Sequence, residues 1–153
     1  LHQIIKSVNL LEEFRLRIID DDVYLFDTIH VSSTVDRPDK TFGFSFIEYS
    51  NNFEEFVKNA QQEFERIRNS TGLELNDQLN IIHFTTIPWV SFTGLSHPRK
   101  FSLAESIPKI AVGKFFKSND KLLFPIALHA HHGLVDGYHV GKFFELLQEL
   151  LNT

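Results

Sequence analysis

The segment HAHHGLVDGYHV, residues 129–140, holds four histidines, one aspartate and two glycines within twelve positions. Such a set could ligate a metal, supply a general base, or end a strand without doing chemistry. A metal reading would start from His129 and His131 and add Asp136 and His139. Strand alternation divides that set. In FPIALHAHH, Phe124, Ile126, Leu128, Ala130 and His132 fall on one face, and His129 and His131 on the other. The chain also has no Cys and no helical HExxH spacing, so no metal is expected.

Alternation favours His132 as the reactive member. At the end of a strand, on an otherwise apolar face, its imidazole would be neutral and shielded from competing water, as a general base requires. Asp136-Gly137 then turns the chain into a helix, and an aspartate four residues on can fold back to hold the loop that orients the ring. A core histidine followed by an aspartate acting as helix N-cap fits the same spacing. The residues alone leave both readings open.

The elements around this segment are legible from periodicity. Residues 1–12 read as the end of a helix, and EFRLRI and VYLF as short strands flanking the acidic turn Asp20-Asp21-Asp22. DTIHVSS suits a strand, and TFGFSF puts Phe42, Phe44 and Phe46 on one face at period two. Asn51 and Glu54 form a candidate capping pair for a helix presenting Phe53, Phe56, Val57, Ala60, Phe64 and Ile67. NIIHFTTI is a strand stopped by Pro88-Trp89, and TGLSHPRK (93–100) is loop. IAVGKFFK and KLLFPIALHA, joined by Ser118-Asn119-Asp120, form an antiparallel hairpin. A last helix aligns Val140, Phe143, Phe144, Leu147, Leu150 and Leu151. The expected class is α+β, a two-layer sandwich of a mostly antiparallel sheet with amphipathic helices.

Composition narrows the function classes. The 153 residues suit one domain with a real core, at 42% hydrophobic and 23% charged residues. Sixteen Phe make the chain rich in aromatic rings. A net charge of −5 with no basic run gives nucleic-acid or membrane-surface binding no support. Without Cys, thiolate nucleophiles and disulfides are excluded. No apolar run approaches ~20 residues and no signal peptide is evident, so a cytoplasmic location is expected. The amphipathic pattern begins at Leu1 without a cap or an initiator Met, and the expectation is one domain over residues 1–153 that lacks its N-terminal portion.

Two stretches carry a resemblance. HHGLVDGYHVGKFFELLQEL resembles the chloramphenicol acetyltransferase signature, HHxxxDGxH at a strand end followed by a C-terminal helix. Dihydrolipoyl acyltransferases share a looser HxxxDG, but normally carry Arg after the His and lack the later His. TTIPWVSFTGL (85–95) independently resembles the Ile-Pro-Trp-x-Ser-Phe-Thr segment of the first family, with Trp89 standing 43 residues before His132. EFRLRI, DKTFGFSF and NNFEEFV follow more weakly in family order, so the likeness covers essentially the whole chain.

The resemblance implies a fold, an activity and site residues. His132 corresponds to the catalytic base, which takes the proton of an acceptor hydroxyl as it attacks the thioester of the co-substrate acetyl-coenzyme A. Asp136 corresponds to a loop-fixing aspartate whose family partner is an N-terminal Arg, and no residue here corresponds to that Arg. Thr85 stands where the family has the Ser that hydrogen-bonds the oxyanion. Ala111 stands where the family often has a Thr that positions an active-site water. Phe42 corresponds to an aromatic touching the acceptor, with Phe44 and Ser33 at neighbouring lining positions. Trp89, Lys114 and Phe115 correspond to positions near the coenzyme A channel. The likeness also implies a homotrimer with active sites between subunits. Two alternatives stay open: an acyltransferase of the same fold with another acceptor, and a catalytically impaired binding homologue.

Overall fold

A computed structural model describes residues 1–75, 77–96 and 105–153. His97–Lys100, the second half of the expected loop, lie outside the described residues. The elements run α1 (His2–Leu10), a 3-10 turn (Glu12–Arg15), β1 (Leu16–Ile19), β2 (Asp22–Leu25), β3 (His30–Asp36), β4 (Phe42–Phe44), α2 (Phe53–Arg68), β5 (Ile81–Ile87), β6 (Lys109–Gly113), β7 (Phe116–Ser118), β8 (Lys121–Leu123), β9 (Ile126–His129) and α3 (Gly137–Leu151).

One five-stranded sheet, ordered β4-β3-β5-β6-β9, carries the fold, with hairpins β1-β2 and β7-β8 beside it. Among the described residues four of the six strand pairings are antiparallel, while the two at the centre, β3–β5 and β5–β6, are parallel. The class is α+β, as the periodicities suggest. The expected hairpin of residues 110–130 forms in two stages: β6 pairs with β9, and β7 with β8 beyond them. Both small hairpins turn on residues that tolerate left-handed backbone. Asp20 and Asp21 have φ of 51° and 68°, and Asn119 and Asp120 have 47° and 61°.

Register explains why the helices share one face. Ser33, Phe84, Ile110 and Leu128 stand in one row across the sheet, and Thr86, Val112 and Ile126 in another. Phe84, Ile110, Leu128, Val112 and Ile126 all meet the core built from Ile5 and Val8 of α1, Phe56 and Ala60 of α2, and Phe143 and Leu147 of α3. The intervening rows, Ser32-His83-Lys109-His129 and Thr85-Ala111-Ala127, point to the opposite side. The result is two layers, helices over a sheet.

Three local expectations shift. EFRLRI is not a strand throughout, because Glu12–Arg15 coil into a 3-10 turn that buries Phe14 against Phe143. The cap of α2 is Asn52, whose side chain accepts from the Glu55 amide, one residue later than Asn51 and Glu54. Strand β9 stops at His129, where its partner β6 begins at Lys109. His132 therefore lies past the strand, exposed in a turn, not at a strand end on an apolar face.

Candidate active site

The turn bearing His132 is held from both sides. The His131 carbonyl accepts from the amides of Leu134 at 2.9 Å and Val135 at 3.0 Å, closing a tight turn with His132 inside it. His131 Nδ1 accepts from the Gly133 amide at 3.2 Å, and Val135 is buried in the core. Asp136 then caps α3, accepting from the Tyr138 amide at 2.9 Å and the His139 amide at 3.3 Å. These hydrogen bonds, the His139 amide first, hold its carboxyl below the ordinary aspartate value.

His139 completes the cap from the other direction. Its Nδ1 lies 3.2 Å from the Asp136 amide nitrogen and 3.0 Å from the Asp136 carboxylate, and its Nε2 lies 3.4 Å from a Glu13 carboxylate oxygen. A ring at the third helical position thus takes the place of the Glu or Gln usual in a capping box. Sequence reasoning left His139 without a role because D-x-x-H is not the usual form of that signal.

The other candidates gather on the sheet. Thr85 on β5 is half-buried, directly opposite the fully buried Ala111 on β6. Phe44 pairs with Thr34 and Phe42 with Asp36, so both rings share a face and meet edge-to-face at 5.6 Å. Ser33 is separated from them. It has the opposite strand parity, is only 7% exposed, and exchanges backbone and hydroxyl hydrogen bonds with Ser45. Alternation along β3 explains why Ser33 and the two Phe rings do not form one lining.

Trp89, Lys114 and Phe115 follow the C-terminal ends of the paired strands β5 and β6, where Ile87 stands opposite Gly113. The Lys114 amide donates to the Val90 carbonyl at 2.8 Å, tying the Pro88–Val90 turn to the end of β6. Gly113 allows this approach, since a Cβ there would fall 2.7 Å from the Pro125 ring and 2.8 Å from the Val90 carbonyl oxygen. Trp89 is 80% exposed and Phe115 54%. The Phe115 ring packs against Phe124, with centroids 5.0 Å apart. Among the described residues, no group of three or more His, Cys, Asp or Glu is placed to hold a metal ion. No described helix is long and apolar enough to cross a membrane.

His132 and Thr85 follow different strands of the sheet. Thr85 shares a row with Ala111 and Ala127, whereas the turn with His132 begins beyond His129. With ~4.8 Å between strands and ~3.3 Å rise per residue, the His129 backbone is roughly 12 Å from that of Thr85. The strands leading to the two residues, β9 and β5, are separated by β6.

Comparison with known proteins identifies the family and the fold. A family model described as chloramphenicol acetyltransferase matches residues 1–148. A chloramphenicol acetyltransferase of Clostridium perfringens is 31% identical over all of the chain and 76% of its own length. Chloramphenicol acetyltransferase 3 of Escherichia coli is 30% identical over all of the chain and 73% of its length. A solved chloramphenicol acetyltransferase structure superposes with a TM-score of 0.90 at 24% identity, over 98% of this chain and 74% of that one. The dihydrolipoamide acetyltransferase of Azotobacter vinelandii shares the fold more distantly, with a TM-score of 0.70 at 16% identity over 97% of this chain and 66% of that one. On the match along residues 1–148, the chain belongs to the chloramphenicol acetyltransferase family.

Proposed function

We propose that the chain is a coenzyme A-dependent O-acetyltransferase that moves an acetyl group from acetyl-coenzyme A to a hydroxyl of chloramphenicol. The observation that carries this reading is the exposed His132, held in a turn whose ends are tied to the core through Val135 and to α3 through Asp136. An accessible imidazole on a fixed backbone is what proton removal from a bound hydroxyl requires.

The chemistry balances without an acyl-enzyme. His132 takes the acceptor's hydroxyl proton as that oxygen attacks the thioester carbonyl carbon. The Thr85 hydroxyl donates to the oxyanion that forms. Collapse of the tetrahedral intermediate breaks the carbon–sulfur bond, and the departing thiolate takes the proton back from the imidazolium. An acetyl ester and free coenzyme A result. Phe42 and Phe44 line the acceptor side, and Trp89, Lys114 and Phe115 hold the coenzyme.

The proposal includes a homotrimer in which His132 of one subunit faces Thr85, Phe42 and Phe44 of its neighbour. It also takes residues 1–153 as a single acyltransferase domain working in the cytoplasm, where acetyl-coenzyme A is available. Release of free thiol from acetyl-coenzyme A in the presence of chloramphenicol tests it. His132→Ala is expected to abolish acceptor-dependent release, and unchanged release would overturn the role of His132.

A further inference from the structure

Arg37 follows β3 and sits under the loop that leads into Phe42, only 7% exposed. A guanidinium has five N–H donors in a planar fork, and all five are used here. Nε donates to the Ile67 carbonyl at 3.0 Å, at the end of α2. One terminal nitrogen donates to the Phe42 carbonyl at 2.9 Å and to the Thr41 hydroxyl at 3.4 Å. The other donates to the Ser70 hydroxyl at 3.0 Å and to the Gly72 carbonyl at 2.9 Å. Every acceptor is a neutral oxygen. The side chain therefore works as a geometric clamp joining three segments, not as half of an ion pair.

The neighbouring residues are shaped around it. Gly43 leaves its passage open, since a Cβ there would fall 2.7 Å from a guanidinium nitrogen and 2.8 Å from Ile67 Cγ2. The loop is closed by the Arg37 amide donating to the Thr41 carbonyl at 3.0 Å, and by Asp39 accepting from the Thr41 amide and hydroxyl. Beyond the clamp the Phe42 ring is 48% exposed and supported edge-on by Phe44. Its own packing does not hold it in place. Its backbone does, and the carbonyl of that backbone is bonded to Arg37.

We propose that Arg37 is a positioning residue for acceptor specificity: by fixing the Phe42 carbonyl to the end of α2, it sets where the Phe42 ring meets an apolar, ring-bearing acceptor. This rests on Phe42 lining the acceptor side of the proposed site. Lysine has three donors on a point charge and cannot reproduce the fork.

The test is steady-state kinetics of Arg37→Lys, with chloramphenicol and acetyl-coenzyme A varied separately. The KM for chloramphenicol is expected to rise by roughly tenfold, with kcat and the KM for acetyl-coenzyme A within about twofold of wild type. In a Phe42→Ala background the same change is expected to leave the chloramphenicol KM within about twofold, because the ring it positions is gone. If Arg37→Lys does not accumulate as folded protein, Gly43→Ala displaces the guanidinium from the other side and is expected to show the same split. An unchanged chloramphenicol KM, an equal rise in both KM values, or a full effect in the Phe42→Ala background would each overturn the role of Arg37. Lack of any chloramphenicol acetylation by the wild-type protein would instead overturn the functional reading itself. An active wild type in which Phe42→Ala leaves the chloramphenicol KM unchanged would remove Phe42 from the acceptor side and Arg37 with it.

Discussion

Thr85 stands directly opposite Ala111 in the parallel ladder between β5 and β6, and Ala127 faces Ala111 from β9. Thr85 thus supplies the one hydroxyl in that row of three, with methyl groups filling the rest. Thr85→Ala is expected to lower kcat by ~10²-fold, the usual cost of deleting such a donor, with little change in the KM for acetyl-coenzyme A. Thr85→Ser keeps the hydroxyl and is expected to stay within a few-fold of wild type. Equal, large losses for both variants would instead make Thr85 a packing residue.

The cap at Asp136 gives a pH prediction with a definite sign. Its carboxyl is held below the ordinary value, first by the His139 amide and then by that of Tyr138. A depressed folded value means that the stability it contributes is fully present above the unfolded value near ~3.9 and is lost as pH falls through the folded one. Asp136→Ala is expected to lower the denaturation midpoint at pH 7, because it removes the acceptor that caps α3. Asp136→Asn keeps an acceptor and is expected to stay close to wild type. Denaturant unfolding of the three proteins at pH 7 and pH 3 checks this. The gap between wild type and Asp136→Ala should narrow at the lower pH, and a widening gap would contradict the cap assignment.

Much of this architecture is readable in the chain because local chemistry specifies it. The period-two run of NIIHFTTI became β5, the 3.6-residue stripe through Phe143 and Leu147 became the buried face of α3, and Asn119-Asp120 made the turn expected of them. The parallel contacts of β3 with β5 and of β5 with β6 were not readable. Alternation within a strand says which face is apolar and nothing about the neighbouring strand or its direction. The position of His132 failed for a related reason. Alternating residues continue past His129, but a strand lasts only while a partner runs beside it, and β6 starts at Lys109. The Arg37 clamp and the approach of His139 to Glu13 join residues far apart in the chain, which no local pattern encodes.

The proposed homotrimer leads to the test of assembly. If His132 and Thr85 of one chain served the same site, a protein carrying either lesion could not be rescued by one carrying the other. If the site lies between neighbours, a His132→Ala subunit still offers an intact Thr85, and a Thr85→Ala subunit an intact His132. In a closed ring of three containing both kinds, one of the three directed contacts pairs the two intact residues. Random assembly from equal amounts makes three quarters of the rings mixed, so co-expression is expected to restore about a quarter of wild-type turnover per subunit. Each variant alone should remain near background. Sedimentation of the mixed sample should give one trimer-sized species. Turnover of the mixture no higher than that of the separate variants would place both residues in a site within one chain.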